Sequence, residues 1–163
     1  NELAGNLELI RSSIIVSKAI ATLPLRVTYI SKGTLLENEM YKSSPFEVNF
    51  LIKDSLWMDR PFYLQFNNEK SFILSYIPVG EKDQIEEEYQ NGNWIHLKGI
   101  SLQINVINYQ SILKHQSQLK KNTFKFIINS DKALIKDFSS KLSVIMANPD
   151  AKTINIKIKE LQQ

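Results

Sequence analysis

Few side chains in this sequence combine a type and spacing suited to chemistry, and the most concentrated group is the run Glu86-Glu87-Glu88. Glycosidic hydrolysis needs two carboxyls facing each other across a bond. Neighbours in a charge run point in different directions, so this run reads as a solvated face. The two histidines are His96, in a strand-like stretch beside Trp94, and His115, in a basic stretch. Neither has a second histidine or a carboxylate at ligand spacing, and both read as structural or exposed residues. With no cysteine in the chain, disulfides, thiolate metal sites and a cysteine nucleophile are excluded. The five glycines are scattered and form no dinucleotide fingerprint, phosphate-binding loop or GxSxG elbow. The residues therefore imply no catalysis, no cofactor and no metal. Exposed aromatics stack on sugar rings, and Tyr41, Trp57, Tyr63, Trp94 and Tyr109 are candidates by residue type, with Tyr41, Trp57 and Trp94 taken as the glycan contacts.

The elements that position these residues are mostly strands. Leu3, Leu7, Ile10, Ile14 and Ala21 recur at helical spacing, so Glu2 to Leu23 is expected as an amphipathic helix that ends before Pro24. Arg26 to Ile30 then reads as a strand, Lys32-Gly33 as a turn, and Thr34 to Tyr41 as a second, more polar strand. Phe46, Val48, Phe50 and Ile52 alternate with Glu47, Asn49, Leu51 and Lys53 in a half-buried strand. Asp54 to Pro61 is a loop holding Trp57. Phe62, Leu64 and Phe66 then turn through Asn67-Asn68-Glu69-Lys70 into Phe72, Leu74 and Tyr76, a hairpin.

Gln84 to Gln90 reads as either a short helix or an exposed edge strand. Asn91-Gly92 suits a type I′ turn, so a tight hairpin is expected from Tyr89-Gln90 to Asn93-Trp94. Trp94 to Lys98 and Ile100 to Ile107 read as strands, with Gly99 a bulge or bend. Lys114 to Asn122 is expected as a polar loop or hairpin tip. The strand Phe124, Phe126, Ile128 leads to a helix capped by Asn129 or Ser130, with Leu134, Phe138 and Leu142 as its buried stripe. Asn148-Pro149-Asp150 is a turn, and Ile154, Ile156 and Ile158 lie on one side of a last strand.

The 163 residues, 43% of them apolar, are enough for one sizeable core. The 20 basic and 17 acidic residues are mixed, giving a net +3 without the basic stripe that marks nucleic-acid binding, and no polynucleotide partner is implied. The acidic run 86–88 and the basic stretch Lys114 to Lys121 are opposite patches that would meet across a subunit boundary, though two solvated loops is the simpler reading. The expected class is α+β: a mostly antiparallel sheet with one long N-terminal helix, a short C-terminal helix and a β-rich inserted lobe. Residues 1–163 are read as one domain fragment, with a base of 1–45 and 122–163 and the insertion at about 46–121.

Leu9-Ile10-Arg11-Ser12 in the first helix, then Leu23, Leu25, Thr28, Tyr29, Gly33, Glu39, Tyr41, Ser44, Pro45 and Val48, form a series, with Thr153 to Ile158 at the end. That series resembles the periplasmic domain of polysaccharide co-polymerases, the chain-length determinant (Wzz-like) proteins and the membrane-anchored tyrosine kinases of capsule and exopolysaccharide export. It covers less than half of the chain, and about Leu51 to Lys121 has no matching motif. The resemblance implies a non-catalytic periplasmic domain of an inner-membrane protein, a homo-oligomer in the full-length parent, and a polymerase and an outer-membrane exporter as partners. Arg11 and Ser12 are the expected subunit contacts. The competing readings are a surface or periplasmic glycan-binding β module and an accessory domain of an enzyme.

Overall fold

The computed structural model describes residues 5, 26–33, 35–117 and 124–146. The chain separates into two units, one of residues 27–128 and one made of both flanks, 1–26 and 129–163.

The unit 27–128 is two antiparallel sheets facing each other. The larger is formed by β1 (Val27–Lys32), β2 (Glu37–Glu39), β4 (Pro61–Phe66), β5 (Ser71–Tyr76), β6 (Ile85–Gln90) and β9 (Phe124–Ile128), in the order β2-β1-β9-β4-β5-β6. The smaller is formed by β3 (Phe46–Ile52), β7 (Trp94–Leu97) and β8 (Ile100–Val106), in the order β3-β8-β7. Strict alternation drives this: Phe62, Leu64 and Phe66, Phe72 and Leu74, Phe124, Phe126 and Ile128 point inward from the large sheet. They meet Phe46, Val48, Leu102 and Ile104 of the small one, all at most 5% exposed. Aromatic rings dominate the seam. Phe46 lies 5.4 Å from Tyr29, 5.6 Å from Phe66 and 5.6 Å from Phe124, while Trp57, Phe62 and Phe126 stack at 5.6 and 4.9 Å.

The expected α+β class is corrected by this arrangement. Among the described residues the fold is mostly antiparallel β, nine strands in two sheets, and the α-helices are α1 (Tyr109–Gln116) and, in the flanking unit, α2 (Asp131–Met146). The long first helix over Glu2 to Leu23 and the last strand Thr153 to Ile158 fall outside the described residues, apart from helical Gly5. A separate β-rich lobe is absent among the described strands. β9 pairs with β1 on one side and with β4 on the other, so the strands on either side of the expected insertion share one sheet with it.

Three local expectations change. Asn91-Gly92 does not close a hairpin, because β6 pairs with β5 in the large sheet and β7 with β8 in the small one. Instead it ties the sheets together. The Asn91 N–H donates to Lys70 O at 2.8 Å, Asn91 Oδ1 accepts from Val106 N at 2.9 Å, and Gly92 N, at φ +80°, donates to Ile104 O at 2.8 Å. Gly99 is the second residue of a two-residue turn joining β7 to β8, with Leu97 opposite Ile100. Its φ is +88° and an added Cβ would stand 2.8 Å from Asp54 Cβ. The expected loop from Lys114 begins inside α1, whose Ile112 is fully buried and whose Asn108 cap accepts from Ser111 N at 3.0 Å. Gln116 at its end pairs both ways with the backbone of Phe66, 2.8 Å each, as a strand neighbour would.

Of the two expected caps of the second helix, Asn129 or Ser130, it is Ser130 whose Oγ accepts from Ala133 N at 3.1 Å, and Leu134 and Phe138 are half-buried. Arg26 and Asp131 pair at 2.5 Å with side chains 45% and 72% exposed, too wet to contribute more than about 1 kcal/mol.

Because β3 is an edge strand, its outward N–H groups need partners, and Val48 N finds one in Tyr29 Oη at 2.9 Å. Removing that acceptor strands a buried donor. Tyr29→Phe is expected to lower unfolding free energy by about 1–3 kcal/mol in a denaturant titration. Gly99→Ala is expected to lower it by at least about 1 kcal/mol, through backbone strain and the Asp54 clash.

Candidate functional site

Burial along the small sheet separates its two faces. Phe46, Val48, Ile95, Ile100, Leu102 and Ile104 face the core, leaving Glu47, Asn49 and Leu51 of β3, Ser101, Gln103 and Asn105 of β8, and Trp94 and His96 of β7 on the outside. Register sets them in rows: Asn49, Gln103 and Trp94 lie directly opposite one another across the three strands, and Leu51, Ser101 and His96 form the next row. Directly opposite residues have Cβ atoms about 5 Å apart, so each row is a continuous strip.

The middle strip is held by its own hydrogen bonds. Asn49 Nδ2 donates to Gln103 Oε1 at 3.0 Å, Asn105 Nδ2 reaches the same oxygen at 3.5 Å, and Gln103 Nε2 donates to Gly92 O at 2.8 Å. Gln103 is thus fixed at both ends of its amide, and beside it Trp94 is 42% exposed. His96 Nδ1 lies 2.9 Å from Ser101 Oγ, a cross-strand pair. A hydroxyl nucleophile needs its base oriented by a third group and an oxyanion donor nearby. Among the described residues no carboxylate is bonded to His96, so this pair orders the surface and has no catalytic constellation around it.

The acidic run lies on β6, the open edge of the large sheet, resolving the helix-or-strand alternative in favour of the strand. Charge on an open edge discourages pairing with another strand. Glu87 accepts the Tyr89 hydroxyl, on the same side as Leu74 and Phe72, whereas Glu86 and Glu88 face the other way. Burial, then the bond to Glu87, pushes the Tyr89 phenol well up, and burial with the Glu87 charge raises Tyr76. Both phenols stay protonated, and Tyr89 is the donor to Glu87. Hydrogen bonds from Ser71 and Asn67, the latter at 3.0 Å, hold Glu88 below the ordinary carboxylate range. A glycosidase acid needs the opposite shift.

The expected glycan contacts separate. Trp57 is 2% exposed, stacked on Phe62, with Nε1 donating to Lys98 O at 2.8 Å, so it is a core residue with no free face. Tyr41 is 56% exposed in a short 3-10 turn before β3, at φ +37°. Trp94 alone of the three lies on the amide strip. Arg11 and Ser12 lie outside the described residues. The amides of Asn49, Gln103 and Asn105 were missed as candidates; their polar alternation with core residues was the available signal. Among the described residues no cluster of metal-ligating side chains occurs, and no helix is long and apolar enough to cross a membrane. Compared with known proteins, the chain matches no family model and no curated protein.

Trp94 is expected to supply the quenchable part of the fluorescence: Trp94→Phe should leave emission that iodide barely quenches, and Trp57→Phe should leave emission that iodide quenches strongly. For Glu88, whose folded pKa is lowered, the stabilisation is present above the unfolded carboxylate's pKa and is lost as pH falls through the folded value. Melting curves should therefore show the wild type above Glu88→Gln at neutral pH, with the gap narrowing on acidification.

Proposed function

We propose that this chain is a non-catalytic periplasmic assembly domain of an inner-membrane polysaccharide co-polymerase, acting on the length or export of capsular polysaccharide, exopolysaccharide or O-antigen. The observation that carries the reading is where the ends of the β unit lie. Val27 is paired with Ile128, so the strands that open and close the unit are hydrogen-bonded neighbours and the chain enters and leaves it at one point. In the flanking unit Asn129 N donates to Arg26 O at 2.7 Å, continuing that adjacency. A domain built this way is suited to being held between two chain segments that run to the same side, as two membrane spans would.

The residues that carry the family resemblance also have specific structural work. Gly33 N donates to Leu36 O at 2.8 Å, where an added Cβ would stand 2.7 Å from that oxygen. Tyr29 meets Val48, and Pro45 O accepts from Ile107 N and Asn108 N at 2.8 and 3.0 Å. Together they build the corner joining β1, β2 and β3. That Tyr29, Gly33, Pro45 and Val48, among the described residues of the pattern, each hold a backbone contact around β1 to β3 is consistent with the reading. In the parent, the homo-oligomer, the polymerase and the exporter are the partners this function requires.

The test is to replace residues 27–128 in the parent gene with a short glycine-serine link between Arg26 and Asn129. The expected outcome is surface polysaccharide of altered length or lost export, with the shortened protein still in the membrane fraction. Polymer of unchanged amount and length distribution would contradict the proposal.

A further inference from the structure

The outer face of the small sheet differs in chemistry from the acidic β6 edge. Charge complementarity selects the class of ligand. The outward positions of β3, β7 and β8 carry no lysine or arginine, Glu47 is their one formal negative charge, and Lys53 and Lys98 stand only past the strand ends, so a phosphate, a nucleic acid or an anionic lipid would find no counter-charge on the Asn49-Gln103-Trp94 row. A second protein with an apolar surface would have to strip water from a row of amides. What matches is a ligand rich in hydroxyls, with an apolar C–H face and no charge.

The geometry meets both requirements of such a ligand. Trp94 offers an indole 42% exposed, and directly opposite it Gln103 and then Asn49 present amides already ordered by their mutual bonds. Side chains fixed before binding lose little freedom on it. The strip crosses two interstrand gaps of about 4.8 Å each, roughly 10 Å from β7 to β3, which leaves room for about two sugar rings side by side. We propose that this face binds an uncharged segment of a glycan chain, one ring stacked on Trp94 and the hydroxyls of its neighbour hydrogen-bonded by Gln103 and Asn49. This goes beyond the assembly reading and does not rest on it.

The experiment titrates the full chain with cello-, laminari- and mannohexaose, and with hyaluronan and heparin oligosaccharides as charged comparators, following tryptophan emission and calorimetric heat. At least one uncharged oligosaccharide is expected to give a saturable shift. Trp94→Ala should weaken it at least tenfold and Asn49→Ala several-fold, with the melting temperature of each variant measured alongside. Trp94→Tyr, which keeps a stacking face, should retain part of the affinity. The proposal is overturned if no uncharged oligosaccharide binds at millimolar concentration, if only the charged ones bind, or if Trp94→Ala binds as the wild type does. A concentration-dependent dimer abolished by Trp94→Ala would also overturn it, by giving the face to a second copy. None of these outcomes bears on polymer length in the gene replacement, so the two proposals fail separately.

Discussion

The packing of Phe46 between the sheets is the constraint on which the β unit depends. Its ring meets Tyr29, Phe66 and Phe124, which belong to three different strands of the large sheet, at 5.4 to 5.6 Å. The small sheet of three strands has one apolar face, Phe46, Val48, Ile95, Ile100, Leu102 and Ile104, and this aromatic seam is part of what covers it. The directional bonds then fix how the sheets sit. Tyr29 bonds the edge of β3, and Asn91 bonds Lys70, in the turn that leads into β5 of the large sheet, and Val106 of the small one. Non-directional burial supplies most of the driving force, and these few hydrogen bonds select one arrangement among those that burial would permit.

That division of labour sets up the surface. With the core-facing positions taken by the seam, the outward positions of the small sheet are free of packing duty and carry amides, a serine, a histidine, Glu47, an exposed leucine, Leu51, and one exposed indole. The large sheet ends in charge at both edges, Glu37 and Glu39 on β2 and Glu86 to Glu88 on β6. Glu37 is paired with Lys125, whereas the run on β6 leaves its charge on an open edge, where it discourages pairing with another strand.

Much of this was legible in the sequence wherever period and turn chemistry act locally. The alternation from Phe46 to Ile52 and the Asn67 to Lys70 hairpin appear as expected. Asn91-Gly92 was misread because a turn dipeptide specifies backbone geometry and not the partner that follows; here the two strands go to different sheets. α1 was missed because eight residues with one buried side chain, Ile112, leave almost no periodic signal, although Asn108 was available as a cap. Trp57 and Trp94 are the same residue type with opposite fates. The Asp54-capped turn folds Trp57 into the core, while strand alternation turns Trp94 out, and only the three-dimensional register separates them.

The most direct measurement of the central claim, that this β unit stands outside the cytoplasm between two segments leaving on one side, is a reporter inserted in the parent at the Asn68-Glu69 turn. That turn lies at the end of the large sheet away from Val27 and Ile128. Active alkaline phosphatase at that point, with cytoplasmic reporters active beyond both flanking segments, is the predicted result. An inactive phosphatase and a fluorescent cytoplasmic reporter at the same turn would contradict the account.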